Sequence, residues 1–214
     1  MHAGKISFQE MKSYILIAIS LILASSALAA DPSFNRPGSW AQPVELTGVP
    51  NLYKVGDRLY RSAQPTAQGM HNLKGKGIKT IINLRSFHSD RDEVGDTELG
   101  YEHIYMKAWY PEQEDIIRFL QIMINPKRTP VLVHCQHGAD RTGTMCALYR
   151  IVVEGWTKEE AIREMTQGGF GFHEILENLP EWVQKLDIDA IRKDSGIKTG
   201  KEAGAEGDPV NRAP

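Results

Sequence analysis

The short apolar run Pro130-Val131-Leu132-Val133 leads directly into His134-Cys135-Gln136-His137-Gly138-Ala139-Asp140-Arg141-Thr142-Gly143, and a helix-compatible run from Thr144 to Val153 follows. A brief apolar segment closed by turn residues reads as a strand buried on both faces. The chain must therefore end a buried strand on a cysteine, turn through five residues and place an arginine at the mouth of a helix. That arrangement suits a tetrahedral oxyanion. Helix N-termini present unpaired N–H groups at the positive end of the helix dipole. The same field favours thiolate over thiol. The Arg141 guanidinium is a planar fork that can hold two phosphate oxygens, and Gly138 lets the loop backbone turn its amides inward without a side chain crowding the anion.

The Cys-x5-Arg-Thr pattern, with its preceding His and its central and trailing Gly, resembles the active-site loop of the cysteine-dependent protein tyrosine and dual-specificity phosphatases. The similarity extends over roughly residues 51–186. Tyr149-Arg150-Ile151-Val152-Val153, then Gly155-Trp156, then Gly168-Gly169-Phe170-Gly171 look like the bacterial, particularly the periplasmic, dual-specificity members. The resemblance implies a cysteine-dependent phosphatase of dual-specificity type.

The rest of the chain is consistent with one such domain plus extensions. Its 214 residues are 41% hydrophobic and 24% charged, enough for a sizeable core. The formal net charge is −2, and no basic stripe interleaved with aromatics points to nucleic acid. Residues 1–29 read as a signal peptide, with Lys12, an apolar stretch from Tyr14 to Leu23, and a small-x-small site at Ala27-Leu28-Ala29 that puts cleavage after Ala29. Translation from Met11 would give the more regular leader. The expected location is periplasmic or secreted; an uncleaved leader would instead anchor the protein in the inner membrane facing the periplasm, the only membrane contact expected. Residues 30–50, with several prolines, read as an arm or linker, and 187–214 as a largely disordered tail. The two cysteines, Cys135 and Cys146, lie too far apart along a loop and helix to form a bridge, so Cys146 is assigned to the core.

Between these ends the fold class is α/β, a central mainly parallel sheet flanked by helices. A hairpin is expected over 52–62, a helix near 66–74, strands at Thr80–Leu84 and Tyr101–Met106, and a charged loop with a helical turn over 85–100. Pro111-Glu112 opens a helix whose Ile116, Phe119, Leu120 and Met123 share one face. Thr157 with Glu160 spells a capping box, and one last amphipathic helix is expected over 173–186.

The chemistry follows from the loop. Cys135 is the expected nucleophile, passing through a phosphocysteine that water cleaves. Arg141 and the amides of 136–141 stabilise the transferring phosphoryl group. Gln136, His137, Gly138, Ala139, Asp140, Arg141 and Thr142 form the substrate cradle, with the Gln136 and His137 side chains pointing outward. The resemblance gives Thr142 a hydrogen bond to the sulfur and gives His134 the task of holding the loop. It also places a general-acid aspartate before the helix that precedes the cysteine strand, where this chain has no Asp; Glu112 is the expected acid and Asp115 the runner-up. Relatives that prefer inositol phospholipids carry lysines in the loop. Asp140 in its place should repel highly anionic substrates and favour phosphotyrosine or another monoester.

Trp109, Tyr110, Phe170 and Phe172 line the rim or belong to the core. No cofactor or metal is expected, since the histidines are scattered. The expected partner is a phosphorylated protein or small phosphomonoester, met by a monomer. A phosphatase of small-molecule or lipid phosphates, and a non-catalytic phosphate-binding module, remain open on sequence alone.

Overall fold

The computed structural model describes residues 36–198. The signal peptide expected over 1–29 and the end of the tail, 199–214, lie outside the described residues. From Gly38 onward the elements run β1 (Gln42–Pro43), β2 (Tyr53–Lys54), β3 (Leu59–Ser62), α1 (Ala67–Gly75), β4 (Thr80–Asn83), α2 (Arg91–Val94), β5 (Gly100–His103), α3 (Gln113–Ile124), β6 (Val131–His134), α4 (Asp140–Val152), α5 (Lys158–Gln167), a 3-10 turn (Glu174–Leu176), α6 (Asn178–Lys185) and α7 (Ile188–Ser195). The strands form a single sheet in the order β1-β2-β3-β6-β4-β5. β1, β2 and β3 pair antiparallel, whereas β3–β6, β6–β4 and β4–β5 are parallel. The α/β, mainly parallel reading therefore holds.

β6 is central because every residue in it is buried. Its side chains alternate between two cores, as the two-residue period of a strand requires. Val131 and Val133 face the core shared with α3 to α7, together with Ile82 of β4. Leu132 and Ile81 face the smaller core under α1 and α2, with Met70, Leu73 and Val94. Both faces are thus covered by helices, the usual condition of parallel strands. The expected stripe on α3 is the one buried. α1 starts at Thr66, whose hydroxyl accepts from the Gly69 amide at 3.1 Å. The Thr157–Glu160 capping box closes in both directions at 3.2 Å.

Three boundaries are corrected. The arm expected over 30–50 joins the domain from Gly38 onward: β1 pairs with β2, and Trp40, Ala41 and Val49 are buried. The Ala41 amide donates to Glu164 Oε1, whose carboxylate also receives a bidentate pair of bonds from Arg150 at 2.8 Å each. The helix expected over 173–186 is split into the 3-10 turn and α6. The tail does not begin at 187, because Asp187 caps α7 through the amides of Asp189 and Ala190 and Ile191 is wholly buried in the larger core. Four charged residues, Asp189, Arg192, Lys193 and Asp194, around Ile188 and Ile191 had hidden this short helix.

Ile191→Ala is expected to lower unfolding stability by about 2–4 kcal/mol in a urea titration, the range for truncating a buried aliphatic side chain. A disordered segment would show no change.

Candidate functional site

Cys135 follows β6 and is buried, with 2% of its surface exposed. The loop after it is defined by its hydrogen bonds. Each carbonyl from 135 to 139 has a donor. His134 Nδ1 donates to Cys135 O at 3.2 Å, the Gln64 amide to Gln136 O at 3.2 Å, and Asn51 Nδ2 to His137 O at 2.9 Å. Arg61 Nη2 donates to Gly138 O at 2.7 Å and Ala139 O at 3.3 Å, and the Gly143 amide also reaches Ala139 O at 2.7 Å. The amides of 136–141 donate to no protein acceptor among the described residues. Buried backbone groups need partners. A loop whose carbonyls are satisfied from outside and whose amides are not is a receptor for an anion.

Gly138 makes the turn possible with φ +71°, and a Cβ there would fall 2.5 Å from the Ser62 carbonyl and the Ala63 nitrogen. The loop is packed directly on the end of β3, so the expected role of Gly138 holds and gains a steric reason. Arg141 sits in the first turn of α4, its Nη1 donating to Leu84 O at 3.2 Å. It lines a cavity of about 200 Å3 with Gln136, Arg85, Ser86, Phe87, Ala108 and Trp109. Two guanidinium groups and two aromatic walls therefore surround the mouth of the Cys loop. Phe87 is fully exposed and Trp109 is 65% exposed.

The expected roles fare unevenly. His134 holds the loop as the resemblance implied, and it does so from a buried hydrogen bond: its Nε2 donates to Asp90 Oδ2 at 2.6 Å, with both side chains wholly inaccessible. Asp90 also accepts from Gln64 Nε2 and Asn83 Nδ2, at 3.0 and 2.9 Å. Burial pushes the Asp90 carboxyl up, but the His134 hydrogen bond and charge, with the Gln64 donor and the nearby His88, outweigh it and hold the carboxyl below its usual range. His88, Asp90 and Glu93 do converge, with ligand-type atoms within 4.8 Å of one another, although three donors already occupy the Asp90 oxygens. Thr142 is fully buried, and its hydroxyl has no partner among the described residues, so the expected bond to the Cys135 sulfur is not formed here. Cys146 is a core thiol, as expected, pushed up to about 11 chiefly by burial.

Two expectations meet a different geometry. Glu112 does not line the cavity. It precedes α3 without capping it, half exposed, and Lys107 Nζ lies 3.2 Å from its carboxylate. Asp115 is likewise outside the lining, its carboxyl raised chiefly by burial and also by the Glu112 and Glu114 charges, against a hydrogen bond from the Glu112 backbone and the Lys107 charge. Asp140 is not a free carboxylate beside the substrate, since both its oxygens are taken by His173, at 2.9 Å from the backbone amide and 2.8 Å from Nδ1. Of the aromatics, Trp109 lines the cavity, Tyr110 is exposed outside it, and Phe172 packs against the larger core. Phe170 is buried under Arg61, whose guanidinium lies 3.7 Å from the ring centre.

Sequence reasoning missed Arg61, Asp90, Asn51 and His173. Arg61 alone left a signal, being two residues from Leu59 on a strand and so on the same, inward face.

A buried cysteine, an anion-accepting loop and an arginine at a helix start, carried at the C-terminal end of a central parallel strand, define a phosphate-handling site of cysteine-phosphatase type. The chain belongs to the family described as "DSP-PTPase phosphatase fused to NAD+ Kinase", which matches residues 47–179. It is 33% identical over 174 residues to the dual specificity protein phosphatase TpbA of Pseudomonas aeruginosa, covering 81% of this chain and 78% of that one. A crystal structure of TpbA superposes with a TM-score of 0.66 at 34% identity, over 74% of this chain and 98% of the other. A cysteine-to-serine variant of TpbA, solved with phosphotyrosine, gives 0.67 at 33% identity, over 75% and 98%. The catalytic core of the S. cerevisiae PP-IP phosphatase SIW14, 20% identical, shares the fold, with a TM-score of 0.62 over 71% of this chain and 94% of that one.

The depressed Asp90 carboxyl fixes a sign. Its contribution to stability is full above the ordinary aspartate range, about 3.9, and disappears as pH falls through the lower folded-state value. Asp90→Asn is expected to cost about 3 kcal/mol near neutrality by leaving His134 without its buried partner. It should also flatten the loss of stability between about pH 5 and about pH 2, read by urea unfolding at each pH.

Proposed function

We propose that this protein hydrolyses phosphotyrosine, and phosphoserine or phosphothreonine less readily, through a phosphocysteine intermediate. The observation that carries the reading is the Cys loop with every carbonyl tied outward, opening into a cavity between Arg141 and the Phe87 and Trp109 rings. The loop amides and Arg141 would hold the three terminal oxygens, and the Cys135 sulfur attacks phosphorus opposite the ester oxygen. The P–O bond breaks, its electron pair leaves with the phenol oxygen, and a proton neutralises it. A water then displaces phosphate from sulfur. Flat aromatic walls suit an aryl leaving group better than a sugar or lipid alcohol, which favours phosphotyrosine over small-molecule or lipid phosphates.

The proton is assigned to the 107–115 segment, which already supplies Ala108 and Trp109 to the cavity. Within it, Glu112 and Asp115 are the candidate acids: Lys107 lies 3.2 Å from the Glu112 carboxylate, burial raises the Asp115 carboxyl, and neither lines the cavity. Neither cofactor nor metal enters this scheme. The leader read at 1–29 favours the periplasm or the exterior, with cleavage after Ala29; an uncleaved leader would hold the enzyme on the inner membrane. Cell fractionation with mass determination of the mature chain decides between the two.

Turnover of a phosphotyrosine peptide is expected to persist in EDTA, to be blocked by vanadate and to vanish in Cys135→Ser. Trp109→Ala should raise KM about three- to tenfold, the worth of one ring contact. Whichever of Glu112→Gln and Asp115→Asn removes the acid should slow the peptide more than an activated aryl phosphate. Metal-dependent turnover surviving in Cys135→Ser would reject the mechanism.

A further inference from the structure

Asp140 stands one residue before Arg141, in the first turn of the helix that faces the phosphoryl group, and is 8% exposed. A bare carboxylate there repels a phosphate dianion through a poorly screened medium. The chain answers this from 33 residues away. The His173 amide donates to Asp140 Oδ1 and the His173 ring to Oδ2, so both oxygens are held from outside the Cys loop.

We propose that His173 is a positioning residue for the phosphate-binding loop: by engaging both Asp140 oxygens it turns the carboxylate to itself and offsets its charge, so that a loop carrying an acid beside Arg141 still accepts a phosphate dianion. The inference rests on the phosphatase reading above and adds the residue that tunes the site's affinity.

The segment that carries His173 is built to keep it in place. Phe170 is clamped under Arg61, and its carbonyl accepts from Asn51 Nδ2 at 3.0 Å, the same side-chain amide that donates to His137 O in the Cys loop. A Cβ on Gly168 would strike the Phe170 ring at 2.2 Å and the Glu164 carbonyl at 2.4 Å, so the turn is tightly packed. Asn51 and Arg61 therefore tie the 168–173 segment and the Cys loop to each other. The other titratable group found beside His173 is His137, their ring centres 5.4 Å apart.

The test reads anion affinity apart from turnover. Sulfate, a constant dianion, is titrated calorimetrically into wild type, His173→Ala, His173→Asn, Asp140→Asn and the double variant Asp140→Asn/His173→Ala, and kcat and KM are measured with a small aryl phosphate. In His173→Ala, sulfate Kd and KM are expected to rise about tenfold, the lower end for a hydrogen bond to a charged group, with kcat changed far less. His173→Asn, which keeps a donor near the Nδ1 position, should stay within about threefold of wild type, and the double variant should recover the lost affinity, because no charge then remains to offset. Asp140→Asn alone should bind sulfate at least as tightly as wild type, which keeps the inference testable should His173→Ala fail to fold.

Unchanged sulfate affinity in His173→Ala, weaker binding in Asp140→Asn, or no recovery in the double variant would overturn it. Failure of the phosphatase reading looks different: wild type would bind sulfate yet turn over no aryl phosphate.

Discussion

A loop that turns its amides toward an anion must turn its carbonyls toward the protein, and the carbonyls of 135–139 set the terms for everything around them. Each needs a donor where water is scarce. The protein draws those donors from five places: the ring that precedes the cysteine, the backbone after β3, the side chain of Asn51, the buried guanidinium of Arg61 and the first turn of α4. Arg61 is the most demanding choice. It is 1% exposed and carries its charge into the core, offset by carbonyl dipoles and the face of Phe170. Burying a cation is tolerable only with such partners.

The Asp90–His134 pair extends the same logic one layer outward. His134 can fix the Cys135 carbonyl because its other nitrogen is anchored on a carboxylate that Gln64 and Asn83 also hold. Gln64 reaches both sides of this arrangement, donating its backbone N–H to the Cys loop and its side-chain Nε2 to Asp90, while its side-chain Oε1 accepts from Arg85 at 2.9 Å. Arg85 in turn lines the cavity. Rigidity at the sulfur is thus supplied by a connected polar network, and the cavity wall belongs to the same network. The outer wall is of another kind: Phe87 and Trp109 are exposed aromatics on loops, suited to contact a ligand's ring and set apart from the elements that hold the phosphate site.

Much of this was readable along the chain. The four-residue strand, the five-residue turn and the helix after it are local and periodic, and they lie where the residues place them. So do the α3 stripe, the Thr157–Glu160 box and the isolation of Cys146. The readings that failed were of a different type. α7 was taken for tail because Asp189, Arg192, Lys193 and Asp194 outweigh Ile188 and Ile191 in composition, yet one wholly buried isoleucine suffices to dock the helix. The arm was taken for linker because it is rich in Pro, Ser and Asn, yet two residues pairing with β2 bring it into the sheet. Glu112 was expected on the helical face of Ile116 and Met123, but it precedes α3 in an extended conformation, beside Lys107.

By itself the sequence determined the nucleophile, the arginine and the topology that presents them, because a strand's apolar run, a glycine's backbone freedom and a helix's first turn are properties of neighbouring residues. Only the tertiary structure decided which distant groups satisfy the loop: Asn51, Arg61, Asp90 and His173 reach it across 33 to 86 residues of chain. Their selection follows from hydrogen-bond geometry in a buried space, and that geometry exists only once the sheet has brought β3, β4 and β6 side by side.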